Sequence, residues 1–296
     1  MVEFFHYSFL FRAFLASILV GALASSVGVF LVLRGLSFIG AGIAHAAFAG
    51  VTFGFLTGIN PLLMAFVFSI LSTGLIDLVR RYGELKYDAA IGMFFSLTMA
   101  LAIIFIGLMK GYNAEIMGYL FGNILGTSPL DIYVIVLVAI LTFGFIGGLF
   151  KELHFITFDE DLARASGLPA TQIFSWFLFF TSLTVVVSLK SAGVILVFAL
   201  IVIPAAAAYQ LTHRIRVMMA WAIIIGVIST MSGMFMSYYL DLPSGATIVV
   251  INSIIFGIIW LASPKKKKCQ PTALDAMERE RIGQAGSEVT ESQGID

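Results

Sequence analysis

The sequence predicts an all-α protein, a polytopic bundle of about nine helices that cross a membrane. Of the 296 residues, 60% are hydrophobic and 11% are charged, whereas soluble domains carry about a quarter charged residues. The placement of the charges is stronger evidence than their number, because only Asp241 is ionisable between Arg216 and Lys265. One crossing of the hydrocarbon layer needs about 20 apolar residues, and such gaps are that long or longer.

Nine apolar segments, separated by charged residues or by Gly, Pro and Asn breaks, are the predicted spans. In an alternative with eight spans, the first or the second segment is re-entrant or peripheral. Together the segments make residues 1–264 one transmembrane domain. In chain order they are Phe9–Leu33, Phe38–Gly58, Leu62–Val79, Ala89–Met109, Leu130–Phe150, Thr171–Leu189, Gly193–Leu211, Val217–Tyr239 and Thr247–Ala262.

The basic residues between the segments predict the direction of insertion. Short cytoplasmic loops hold an excess of Lys and Arg, so the Lys265–Lys268 run places the C-terminus in the cytoplasm. Residues 265–296 are then a cytoplasmic tail, basic at first and polar afterwards, with too few large apolar residues to become ordered. Counted back through nine spans, most basic loops share that side, namely those with Arg34, Arg80, Arg81, Lys86, Lys151, Arg164, Arg214 and Arg216.

The second segment carries a stripe of small residues. They recur every four positions and so share one face of a helix: Gly42, Ala46, Gly50 and Gly54. Small residues at this spacing let a second membrane helix approach at backbone distance. We interpret the stripe as a helix-packing surface.

His45 is the only histidine within a predicted span. It is next to Ala46 in the chain, about 100° away around the helix. It therefore lies at the edge of the packed face and points toward the bundle. Ionisable residues inside a membrane usually face a cavity or a partner, and a neutral imidazole is a common ligand for transition metals. The alternative is a histidine that is hydrogen-bonded to a neighbouring carbonyl. No second ligand stands beside it at helical spacing.

A loop from Phe158 to Pro169 predicts a short amphipathic helix. It opens with acidic residues and closes with Gly and Pro, which are helix stop signals. Two interpretations remain at this point, a connector lying on the surface and a docking element for a soluble partner.

The sequence gives no indication of an enzyme. It has no G-x-x-x-x-G-K-[ST] loop, so the chain is not expected to hydrolyse ATP by that mechanism. It also has no Cys/His cluster for structural zinc and no Ser/His/Asp arrangement for hydrolysis.

Five motifs resemble the permeases of zinc and manganese ABC importers, which have a type II importer fold. They are Leu33–Gly54, Tyr119–Ile132, Phe158–Pro169, Val194–Ala208 and Asp241–Ile251. Each motif alone is modest, but five in family order are specific. The resemblance covers about Phe9 to Leu261.

The resemblance implies a permease subunit for a divalent transition metal, zinc or manganese, in a prokaryotic cytoplasmic membrane. Two copies would form a homodimer around the pathway. A separate ATPase would use the ATP, and an extracytoplasmic metal-binding protein would deliver the ion; this chain itself would bind no cofactor and no nucleic acid. The coupling residues that the resemblance assigns to ATPase contact are Phe158, Asp159, Leu162, Ala163 and Gly167.

One departure from the family pattern concerns the metal ligands. Family members usually carry an aspartate four residues before the histidine, where this chain has Ala41, and some have a histidine where it has Ser96. Imidazole without carboxylate shifts the expectation slightly from manganese toward zinc or another borderline ion. Two rivals remain, a permease for a metal chelate such as a siderophore or cobalamin, and a secondary transporter that works without ATP.

Overall fold

The computed structural model describes residues 8–83, 87–109 and 114–263. These residues form helices and connecting turns without a strand, which confirms the all-α prediction. The predicted tail, 265–296, lies outside the described residues. The helices are α1 Ser8–Leu33, α2 Ile39–Thr57, α3 Pro61–Gly83, α4 Tyr87–Leu108, α5 Ala114–Phe121, α6 Pro129–Gly148, α7 Phe150–Phe158, α8 Glu160–Ala165, α9 Ala170–Ala192, α10 Val194–Leu211, α11 Ile215–Leu240 and α12 Ser244–Ala262.

Each of the nine predicted segments coincides with a helix. Within the described residues, eight of these helices are long and apolar enough to cross a membrane, and α10 offers a shorter apolar run, Leu196–Leu211. The two segments that the eight-span alternative questions correspond to α1 with 26 residues and α2 with 19, and both are long enough to span a membrane. The seventh segment is α10, which has 18 residues and contains Pro204.

Helices α1, α2 and α9 form the centre of the bundle. About 70% of the spanning window of each is buried, compared with 22% for α12 and 28% for α4. Helix α1 packs against α6, α9, α10 and α11, and α2 packs against α3, α4 and α10. The peripheral helices are apolar on their outer faces, as expected where the neighbouring molecules are lipid chains.

The small-residue stripe on α2 lies against the backbones of neighbouring helices. A Cβ atom on Gly50 would stand 2.2 Å from the carbonyl oxygen of Met64, and one on Gly54 would stand 2.7 Å from the Cα of Pro61. A larger side chain here would have to move the α3 backbone rather than a flexible side chain. The stripe thus fixes α2 closely beside α3.

The two ends of the bundle carry different short elements. At one end, α7 and α8 connect α6 to α9, and we name this the α8 end. At the other, α5 packs beside the turn between α9 and α10, and we name this the α5 end. A salt bridge of 2.7 Å between Lys190 and Asp131 joins α9 to α6 there. The helix α5 has 8 residues, too few to cross a membrane.

Candidate functional site

A cavity of about 510 Å³ opens between α2, α4 and α10. Most of its lining side chains are apolar, and two are ionisable, His45 from α2 and Asp88 from α4. The other lining residues are Phe38, Ala41, Ile91, Gly92, Phe95, Val194 and Phe198. We refer to this space as the His45 cavity.

The His45 imidazole is held in place by an aromatic ring and leaves a nitrogen unused. Its ring lies edge-on to Phe95, with centroids 4.3 Å apart and an angle of 70° between the planes. Its Nδ1 atom is buried and has no hydrogen-bond partner among the described residues. A buried polar atom normally finds a partner, so this nitrogen is left unsatisfied by the described residues. A hydrogen bond to a neighbouring carbonyl does not account for Nδ1.

Asp88 is the ligand candidate that sequence reasoning missed. It lies in the first turn of α4, where it is exposed to the cavity side. The residues at helical spacing from His45 within α2 include no second ligand. Asp88 reaches the same cavity from another helix, α4. Positions 88, 92 and 95 lie at intervals of four and three and so share one face of α4, but this spacing does not by itself indicate a ligand.

Ala41 lines the same cavity as His45, one helical turn away. A methyl group therefore occupies the place where an aspartate side chain at this position would meet the cavity. Ser96 does not line it; its hydroxyl donates a hydrogen bond of 3.0 Å to the carbonyl oxygen of Gly92. The described part of the chain holds no group of three or more His, Cys, Asp or Glu side chains suited to a metal ion. One chain thus supplies two candidate ligands.

An aromatic pair closes the side of the cavity nearest the connection between α1 and α2. The rings of Phe38 and Phe198 stack with centroids 5.5 Å apart and an interplanar angle of 18°. Phe38 lies in the connection, just before α2 begins, so a movement of the connection would move this wall.

The predicted short helix between Phe158 and Pro169 is α8. Asp159 caps it by accepting a hydrogen bond of 2.8 Å from the backbone N–H of Leu162. After the helix, Gly167 adopts a φ of 84°, which favours glycine. Ala163 faces the bundle and is fully buried, whereas Leu162 is 54% exposed. The helix is therefore amphipathic, with its apolar outer face uncovered in the single chain.

One side chain of α8 connects it to the start of the His45 helix. Glu160 forms a salt bridge with Arg34, in the connection between α1 and α2, and a second one with Arg164. The Arg34 guanidinium also lies 3.8 Å from the ring centroid of Phe174 on α9. These contacts join α8, α9 and the connection that leads into α2.

Comparison with known proteins identifies the class. Residues 6–263 match the ABC 3 transport family, so the chain belongs to it. Members of this class are permease subunits of ABC transporters and are not themselves enzymes. The chain is accordingly an integral membrane protein, and the resemblance to the permeases of zinc and manganese importers is confirmed.

Individual relatives match over nearly their whole length. The manganese transport system membrane protein MntC of Halalkalibacterium halodurans is 34% identical over 88% of this chain and 89% of its own. The manganese import system permease protein ScaB of Streptococcus gordonii is 33% identical over 88% and 94%. The solved structure of PsaBC from Streptococcus pneumoniae in complex with Fab superposes with a TM-score of 0.81 at 32% identity, covering 90% of this chain and 97% of that one. This likeness confirms the predicted importer-permease fold.

Proposed function

We propose that this chain, as a homodimer, forms the membrane pathway of an ATP-driven importer for Mn²⁺. The observation that carries the proposal is the presence of His45 and Asp88 in one cavity, with the Nδ1 atom of His45 buried and unused. An imidazole nitrogen and a carboxylate oxygen are both ligands for divalent first-row metals. The ion is cargo, so a site of few ligands suits brief binding.

The ligand count supports a homodimer. One chain supplies His45 and Asp88, which is fewer than the four to six donors that a divalent transition metal takes. A two-fold axis beside the cavity would bring the same two residues from a second copy. The resulting two nitrogens and two carboxylates, with water as the remaining ligand, supply enough donors for a divalent transition metal.

The carboxylate also bears on the choice of metal. The expectation of zinc rested on a site of imidazole without carboxylate, and Asp88 removes that premise. Carboxylate and water ligands suit manganese, whereas imidazole and thiolate suit zinc. The relatives MntC and ScaB are named for manganese transport. Both arguments favour Mn²⁺, and a site of this kind also suits a bare cation better than a bulky chelate.

We infer that α8 is the contact with the ATPase. Leu162 on α8 and Phe158 at the end of α7 are both more than half exposed and lie beside charged residues. The salt bridge between Glu160 and Arg34 gives a movement of α8 a direct route to the connection before α2. ATP hydrolysis would then belong to a separate chain, and an extracytoplasmic binding protein would deliver Mn²⁺ at the α5 end.

The charge distribution supports a cytoplasmic α8 end. The described basic residues at that end are Arg34, Lys151, Arg164, Arg214 and Arg216, whereas Arg12 and Lys190 lie toward the α5 end. The positive-inside rule orients such a protein with the richer end in the cytoplasm. Since α12 runs back to the α8 end, residues 265–296 would follow as a cytoplasmic tail after a membrane domain of residues 1–264.

Uptake of radiolabelled Mn²⁺ tests the proposal. The chain is expressed with its ATPase and binding protein in cells that lack other manganese importers. We expect His45→Ala and Asp88→Asn each to reduce uptake by at least about tenfold, because each removes one metal ligand. Ser96→Ala, outside the cavity, should transport normally. Normal uptake by the His45→Ala variant would refute the assignment, and faster uptake of radiolabelled Zn²⁺ than of radiolabelled Mn²⁺ would refute the choice of metal.

A further inference from the structure

A second cavity, with basic side chains, lies at the α8 end. It has a volume of about 520 Å³ and opens where α6 ends and where α7 and α11 begin. It shares no lining residue with the His45 cavity or with the exposed face of α8. Its lining residues are Gly147, Gly148, Phe150, Lys151, Glu152, Arg216 and Met219. We refer to it as the Lys151 cavity.

Two cations and two helix starts converge on the Lys151 cavity. Lys151 is in the first turn of α7 and Arg216 is in the first turn of α11. No side chain caps the start of either helix, and helix starts present amide N–H groups that favour anions. Among the described residues neither cation forms an ion pair; the Arg216 guanidinium lies 5.7 Å from the ring centroid of Phe150. The cavity is therefore suited to an anion.

The surface beyond the cavity is apolar on both sides. On α6, Leu137, Ile140 and Leu141 are 45–65% exposed, and on α11 Trp221 and Ile224 are 43–45% exposed. Both helices pack against α1, which lies between them. Exposed apolar faces of spanning helices contact lipid chains. A ligand here can thus place a charged head in the cavity and an apolar tail along the exposed side chains of α6 or α11.

We propose that the Lys151 cavity binds the phosphate headgroup of an anionic phospholipid in the leaflet at the α8 end. Basic pockets between membrane helices at this depth recognise such headgroups through charge. Two cations near a membrane surface supply about 1 kcal/mol each, or about fivefold in affinity per residue. Glu152 lines the same cavity, and its carboxylate repels the anion and so lowers the affinity for the headgroup.

Lipid retention by the purified full-length chain tests the proposal. Native mass spectrometry compares the occupancy of phosphatidylglycerol with that of phosphatidylcholine bearing the same chains. We expect Lys151→Gln and Arg216→Gln each to lower phosphatidylglycerol occupancy about fivefold. The matched control is Arg214→Gln, an exposed arginine two positions from Arg216 that does not line the cavity. Glu152→Gln should raise occupancy, a gain that misfolding cannot produce.

Three results would overturn the proposal. The first is unchanged phosphatidylglycerol occupancy in the double variant of Lys151 and Arg216, or an equal loss in Arg214→Gln. The second is preferential binding of phosphatidylethanolamine that Glu152→Gln abolishes, which would assign the cavity to an ammonium group. The third is binding of inorganic phosphate, with the same dependence on Lys151 and Arg216, in a protein that retains no phosphatidylglycerol, which would identify free phosphate as the ligand.

Discussion

The imidazole of His45 and the carboxylate of Asp88 belong to different helices and meet at one cavity. The sequence indicates the first because a histidine within an apolar segment is unusual and costly. It does not indicate the second, because Asp88 stands where α4 begins, next to the charged break before the span. Only the packing of α4 against α2 brings the two together.

A substitution at Ala41 tests the site by adding a metal ligand instead of removing one. In Ala41→Asp, a carboxylate is placed on the cavity face one turn from His45. We expect the purified protein to bind Mn²⁺ about tenfold more tightly, because a third protein ligand replaces water. Uptake should slow, since tighter binding delays release. Titration of Mn²⁺ by calorimetry measures the affinity.

The control for this variant is Ala41→Asn, which has nearly the same shape without the charge. It should bind Mn²⁺ less tightly than Ala41→Asp. Equal affinities for Ala41→Asp and the unmodified chain would show that position 41 does not face the ion.

Among the elements, α8 is joined to the connection between α1 and α2 by a salt bridge between residues 126 positions apart in the chain. Arg34 and Glu160 are both largely buried, with 11% and 15% of their side chains exposed. A partly buried ion pair resists separation more than an exposed one, because breaking it leaves a poorly solvated charge. The pair is therefore suited to transmit a displacement of α8.

We predict that Glu160→Gln uncouples transport from ATP hydrolysis. The variant leaves Phe158 and Leu162 in place, so the ATPase should still co-purify. Metal-dependent stimulation of ATP hydrolysis in proteoliposomes should fall several-fold, by an amount corresponding to about 1 kcal/mol or more. Asp161→Asn is the matched control, since Asp161 is an exposed carboxylate on the next position. Full stimulation in Glu160→Gln would contradict the coupling route.

The elements themselves were largely predictable. Apolar segments between breaks predicted the spans, and Asp159 with Gly167 predicted the ends of α8, because these signals are local. The Arg34–Glu160 salt bridge and the shared cavity depend on contacts between distant segments, which no local pattern contains.

In the whole molecule, the proposed contact between α8 and the ATPase requires that the α8 end face the cytoplasm. Cys269 is the only cysteine in the chain and lies in the predicted cytoplasmic tail. We expect a membrane-impermeant maleimide to label it in inside-out vesicles and not in intact cells. Gel shift or mass spectrometry measures the labelling.

A second reporter checks the opposite face. In a Cys269→Ser background, Leu242→Cys places a thiol at the exposed turn between α11 and α12, toward the α5 end. This thiol should be labelled in intact cells. If Cys269 were labelled from outside and Leu242→Cys from inside, the orientation would be the reverse of the one proposed.

The proposed function requires that Mn²⁺ pass through a site built from His45 and Asp88. Pulsed electron paramagnetic resonance of Mn²⁺ bound to the purified protein tests it most directly, because coupling to a ligand nitrogen reports an imidazole in contact with the ion. We expect nitrogen coupling in the unmodified protein. The Asp88→Asn variant should retain this coupling but bind Mn²⁺ more weakly, and the His45→Ala variant should lose the coupling. Bound Mn²⁺ without nitrogen coupling, or coupling that persists in His45→Ala, would contradict the proposed site.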